Sequence, residues 1–179
     1  MKWLESVPNF SEGKNADVVE KIVKCADKYD RVWIVNYSMD KDHNRSVVTM
    51  VGEPSQVIET LYDMTKTAAE LIDLRNHRGE HPRMGAADVI PLIPLKNMDY
   101  AECIEHSKQL AQRIGDELKI PVYLYEKSAS VPERRDLANI RKGQFEGFSE
   151  KILKDNWKPD YGPADAIHPS AGVVAVGVR

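Results

Sequence analysis

The sequence predicts an α/β (α+β) chain with a ferredoxin-like, split βαβ arrangement: one mixed sheet, with helices packed mainly on one of its faces. Three observations predict it. Strand and helix patterns alternate as β-α-β-β-α-β, followed by α-β. The second and third β-rich runs are joined by a short polar turn, as in an antiparallel hairpin. Three segments place apolar residues at helical spacing along one stripe, so each has one face to bury. Right-handed crossovers follow for the parallel connections. The 179 residues suit one domain, residues 1–179, which at this size buries roughly 70% of its unfolded surface.

Trp3 to Val7 is a short apolar run ended by Pro8 and reads as the first strand; Pro8 to Gly13 has turn composition. Asn15 can cap a helix to about Lys28, with Val18, Val19, Ile22, Val23 and Ala26 on its apolar face. Arg31 to Tyr37 is rich in β-branched and aromatic residues, and Arg45 to Gly52 returns after the polar turn Ser38 to Asn44. Pro54 suits the first turn of a long helix that ends near Leu74. Val89 to Leu95 is an apolar strand. Asp99 and Glu102 form a capping box for a third helix through Cys103, Leu110, Ile114 and Leu118, and Val122 to Tyr125 is the next strand. Beyond it the chain turns polar. Leu137 to Lys142 and Phe145 to Leu153 read as short helices, Trp157 to Gly172 as a long loop, and Val173 to Val178 as a terminal strand. Loops this long inside compact domains are commonly functional, and Trp157 and Tyr161 argue that this one is ordered.

The totals exclude several classes. Apolar content of 42%, charged content of 30% and a net charge of -3 describe a soluble globular chain without the basic stripe of a nucleic-acid binder. No apolar run is long enough to span a membrane, and Glu5 interrupts what would be a signal peptide, so a cytoplasmic protein that uses no membrane is expected. Cys25 and Cys103 fall inside helical patterns and form no metal or disulfide framework. There is no phosphate loop, nucleophile elbow or dinucleotide fingerprint.

The chain is organised around residues 76–86, Asn-His-Arg-Gly-Glu-His-Pro-Arg-Met-Gly-Ala, which feed the buried strand. Gly79 and Gly85 relax the backbone while Pro82 stiffens it after His81. An imidazole held in such a frame can take and return a proton near neutral pH. A loop histidine that only hydrogen-bonds locally is the alternative. His77 reads as a surface residue at a helix end. Arg45 and Arg83 are candidates to grip a carboxylate through their planar forks, or else they form surface pairs with Asp42 or Glu80. No metal site is expected. The Trp157–Gly172 loop offers aromatic faces and backbone N–H groups suited to a flat heterocycle, or simply covers a sheet edge.

Five separated segments occur together and in order: Val7 to Gly13, Asp42 to Arg45 with Val51-Gly52, Gly79 to Ala86, Pro121 to Tyr125, and Pro159 to Pro163. This set resembles the N-terminal subdomain of the glutamate formiminotransferase family across essentially the whole chain. The resemblance implies transfer of a formimino group from N-formimino-L-glutamate to N5 of tetrahydrofolate in histidine breakdown. His81 would be the catalytic base and acid, tetrahydrofolate the co-substrate, and no metal would take part. It implies a folate-binding loop at Gly162, Pro163, Ala164, Asp165, Ala166, Ile167, His168, Pro169, Ser170, Ala171 and Gly172. It also implies a second subdomain beyond Arg179, with substrates in a tunnel between the halves. The partners are then two small molecules and either a second copy, as a homodimer, or a chain that supplies the other half. Asn36 to Met39 stands where the family carries more acids, and the Ala164–Ser170 loop has an extra residue, with His168 where an apolar one is expected. Two other readings are a folate-binding or regulatory module without turnover and a subunit that completes an oligomer.

Overall fold

The computed structural model describes residues 1–179 and realises the split βαβ pattern strand by strand. Strands β1 (Leu4–Ser6) and β2 (Asn9–Phe10) are two pieces of one line, interrupted at Val7-Pro8. Both pieces lie antiparallel between the same neighbours: Leu4 opposite Gly52 and Pro94, Asn9 opposite Val47 and Val89. β1 ends before Pro8 as the sequence implies, and the correction falls on Pro8 to Gly13, read as turn, where Asn9 and Phe10 resume the line. Proline cannot donate to a ladder, but Pro8 still accepts from the Val48 N–H at 3.1 Å, so the pairing bridges the break.

Asn15 caps α1 (Ala16–Val23) through its side chain, and a 3₁₀ turn continues to Lys28. The hairpin follows as β3 (Val32–Asp40) and β4 (Arg45–Gly52), with Trp33 opposite Val51 and Asp40 opposite Arg45. Its turn is shorter than the sequence implies, because Ser38 to Asp40 stay in the ladder. Pro54 opens α2 (Pro54–Leu71), then come β5 (Ala87–Pro94), α3 (Tyr100–Leu118) and β6 (Val122–Glu126). Two short helices, α4 (Leu137–Arg141) and α5 (Gln144–Lys151), precede β7 (Val174–Val178).

The sheet runs β3, β4, β1 with β2, β5, β7, β6. Its first four positions are the antiparallel ferredoxin-like set. The last strand of the chain then inserts between β5 and β6, parallel to both. One face buries the main core: Leu4, Met50, Ile90, Leu92, Val122 and Val176 meet Ile22, Leu61, Met64, Leu110 and Ile114 from α1, α2 and α3. Over β5, β7 and β6 the other face is also covered, by Ile140 and Phe148 of α4 and α5 against Val89, Tyr123, Tyr125 and Ala175. Over β3, β4 and β1 that face is open. Trp3 and Trp33 pack there with centroids 5.4 Å apart and rings tilted by 36°, Trp33 is 46% exposed, and Val7, Val47 and Val51 are half-buried.

The long loop is tied down from beneath by Arg134. Its guanidinium pairs with Asp160 at 3.0 Å, donates to the carbonyls of Lys158 and Asn156, and lies over the rings of Tyr123 and Trp157. Asp160 also accepts from the Leu124 N–H at 2.7 Å. Arg134→Met leaves that largely enclosed carboxylate without its cation, so unfolding free energy is expected to fall by about 3 kcal/mol. Urea denaturation measures this; a loss under ~1 kcal/mol, the value of a surface pair, would refute the strut.

Candidate functional site

The His81 loop lies directly on the hairpin turn. Glu80 and His81 donate their N–H groups to the carbonyls of Asp42 and His43, and a Cβ on Gly79 would collide with the His43 carbonyl oxygen. Further on, Gly85 bridges Gly172, and its missing Cβ makes room for the Val173 carbonyl. Neither glycine has positive φ. Backbone freedom, the reason the sequence suggests for both, is therefore corrected: close approach of two chain segments is the actual reason.

His81 is 4% exposed, and its Nε2 faces Asp88 Oδ2 at 3.3 Å. A carboxylate only accepts, so Nε2 is the donor to it, and in the neutral ring Nδ1 keeps the lone pair. Nδ1 makes no hydrogen bond within the chain and is not sealed from solvent. Asp88 is fully buried at the start of β5, and its Oδ1 accepts from the N–H groups of Met84 and Gly85 at 2.6 and 3.2 Å. Arg141 of α4 donates to Oδ2 through Nε at 3.1 Å and Nη2 at 2.6 Å. Burial alone would raise the Asp88 carboxyl, but the His81 bond, the Arg141 charge and the Met84 N–H outweigh it and hold the group below the usual carboxylate range. Asp88 therefore stays ionised and orients His81 through that bond. This is the geometry of an oriented base.

Arg141 also walls a cleft of about 390 Å³ on the outward sheet face. Val7, Val47, Val89, Pro91 and Tyr125 give it apolar surface, and Arg45, Arg141 and Arg179 bring cations. Arg45 Nε is sealed from solvent and has no partner. So Arg45 stands in the cleft as a candidate anion holder, whereas Arg83 does not. Arg83 is 5% exposed, pairs in two-pronged fashion with Glu146 at 2.7 and 2.8 Å, and donates from Nε to His77 Nδ1 at 3.0 Å. Its partner is neither Glu80 nor Asp42.

The loop Gly162–Gly172 lies off the cleft. Its C-terminal end joins the His81 loop by backbone bonds, Ala86 N–H to Ala171 carbonyl at 2.9 Å and Val173 N–H to Met84 carbonyl at 3.1 Å. Gly162 packs under Gly115 of α3, and Pro163 is half-buried beside it. Ala164, Asp165, Ala166 and Pro169 face solvent, and Ile167 packs against the smaller core. His168 Nδ1 accepts from the N–H groups of Ser170 and Ala171.

Sequence reasoning misses Asp88 and Arg141. An acid at the head of an otherwise apolar strand is the available signal for Asp88; α4 gives none for Arg141. The placement of His77 at the surface is corrected. It is 6% exposed, donates from Nε2 to the Asn44 carbonyl at 2.9 Å and accepts from Arg83 at Nδ1. Its loop folds inward because Arg83 supplies the partner that makes burial tolerable.

Burial, with the nearby Arg83 charge, lowers the His77 pKa although the Asn44 carbonyl opposes the shift. The folded chain then binds this proton less readily than the unfolded chain. Its contribution to stability is complete above the unfolded value of about 6.5 and is lost as pH falls below that through the folded value. The urea midpoint is expected to drop between pH 7 and pH 5, and His77→Gln, which keeps a donor and an acceptor, to lessen the drop. An equal drop in both proteins would clear His77 of the effect.

The family described as formiminotransferase domain, N-terminal subdomain, matches residues 3–179. A glutamate formimidoyltransferase of Streptococcus pyogenes serotype M1 is 52% identical over 178 residues, covering 99% of this chain and 59% of that protein. One from Thermoplasma acidophilum is 45% identical over 181 residues, covering 100% of this chain and 59% of that protein. A formimidoyltransferase-cyclodeaminase of Rattus norvegicus is 41% identical over 176 residues, covering 98% of this chain and 32% of that protein. The chain thus spans less than two thirds of the length of these relatives.

Proposed function

The chain belongs to the formiminotransferase N-terminal subdomain family, and on that premise we propose that it supplies the base-bearing half of a glutamate formimidoyltransferase. The observation that carries this reading is the His81–Asp88 pair, with Nδ1 unbonded and Arg141 linking the pair to an arginine-lined cleft. The donor is N-formimino-L-glutamate and the acceptor is N5 of tetrahydrofolate, in histidine degradation in the cytoplasm.

The cleft, which Arg141 lines and His81 does not, suits both molecules in kind. Its apolar surface accepts a flat heterocycle, and Arg45 and Arg141 accept carboxylates. As N5 bonds to the formimino carbon, His81 Nδ1 takes the proton that N5 gives up. The bond from that carbon to the glutamate nitrogen then breaks, and His81 returns the proton to the departing nitrogen, so the imidazole ends neutral. Asp88 keeps the ring oriented in between. The 162–172 loop, read from the resemblance as the folate-binding loop, lies off this cleft, and its C-terminal end steadies the His81 loop.

The open sheet face supports a second layer. Trp33 is exposed, and the cleft lies at the edge of this surface, walled on one side only by α4. A second subdomain, or a second copy, seated there would close the cleft and exclude water. Without it the chain would bind folate without turnover.

His81→Gln, assayed with the second half that the longer relatives carry, is expected to lower kcat by about 10²–10⁴ while tetrahydrofolate binding by isothermal titration stays within a few-fold. Full turnover in His81→Gln would overturn the assignment.

A further inference from the structure

Arg141 and His81 compete for one oxygen atom. Asp88 Oδ1 is occupied by two backbone N–H groups, so both side chains turn to Oδ2. Arg141 holds the shorter bonds, 2.6 and 3.1 Å, and His81 the longer one, 3.3 Å. A carboxylate oxygen already paired with a guanidinium is a weaker partner for an imidazolium, so in this arrangement Arg141 restrains the base.

Arg141 is also the route from the cleft to that oxygen. Asp88 is fully buried, whereas the Arg141 side chain keeps 21% of its surface and lines the cleft. Its Nε and Nη2 are bonded to Asp88, and Nη1 has no bond in the chain. The helix beneath it is fixed: Lys151 Nζ donates to the carbonyls of Asn139, Ile140 and Lys142 at 2.7–3.0 Å. A ligand would therefore shift the guanidinium rather than α4. The other charged groups at the cleft are Arg45 from β4, Glu126 from β6, Asp136 ahead of α4, and Arg179, with the buried Tyr125 phenol beside them.

We infer that Arg141 is a positioning residue that couples a carboxylate in the cleft to the basicity of His81. The inference rests on the reading of His81 as the base. A carboxylate of the substrate takes the Nη1 edge of Arg141, draws the guanidinium from Oδ2, and leaves Asp88 to His81. The base strengthens only once the substrate is seated. By reciprocity a protonated His81 tightens the carboxylate by the same factor.

The probe is glutarate, a dicarboxylate without a transferable group, added to the ¹⁵N-labelled chain. The His81 imidazole signals, assigned by their loss in His81→Gln, are followed against pH. Saturating glutarate is expected to move the His81 midpoint upward by about 0.5 pH or more. Arg141→Met is expected to move it upward without glutarate and to abolish the response. A His81 midpoint that ignores glutarate in the unaltered chain overturns the inference, as does a glutarate response that survives in Arg141→Met. If Arg141→Met does not fold, the titration of the unaltered chain decides alone. Since this readout needs no turnover, its failure is distinct from that of the transfer assay on His81→Gln, which tests the base itself.

Discussion

The buried carboxylate of Asp88 is the constraint that the site is built around. An ionised group with no solvent contact is costly unless every lone pair finds a donor. Asp88 draws its donors from two separate pieces of chain. The His81 ring and the Met84 and Gly85 backbone come from the loop before β5, and the Arg141 guanidinium comes from α4. Meeting that demand fixes the turn of the His81 loop, the rotation of the imidazole and the position of α4 against the sheet. Loss of any one donor would leave charge unsatisfied in the interior, so the loop, strand and helix are held to a single arrangement.

The sheet supplies the ground for this. Inserting β7 between β5 and β6 widens the antiparallel set by two parallel strands, and α4 and α5 cover the outer face over this extension and the adjoining β5. The cleft lies where that cover stops. One wall is therefore a helix carrying Arg141, and the floor is sheet, from half-buried Val47 to buried Val89. Had α4 reached further, the cleft would be filled; had it stopped short, Arg141 could not reach Asp88.

What is legible in the sequence divides along the same physical line. The three amphipathic helices, the hairpin and the β-α-β-β-α-β order are local patterns, and they appear in the structure within a few residues. His81 stands out because glycine, proline and charge crowd around it. The insertion of β7 leaves no local trace, since nothing in Val174 to Val178 names its distant neighbours β5 and β6. The burial of His77 is hidden for a similar reason: it depends on Arg83 turning inward and on Glu146, far along the chain, meeting it there. Pro8 reads as a strand end because proline lacks a donor, but its carbonyl is enough to keep the ladder running.

Charge distribution adds a last step. The chain carries a net charge of -3, so at long range it offers nothing to attract a dicarboxylate, and salt screens what field there is within about 10 Å. Yet the cleft gathers three arginines against Glu126 and Asp136, and one of those arginines, Arg45, has a sealed Nε without a partner. An unpartnered buried donor is a standing cost to the fold. That cost stays with the fold, because a sealed atom cannot meet an oxygen in the cleft; the Nη groups of Arg45, neither bonded nor sealed, are what a ligand can reach, so the site favours ligands whose oxygens match them over those that merely carry negative charge. Selectivity in this cleft then comes from short-range matching of donors to oxygens rather than from electrostatic steering.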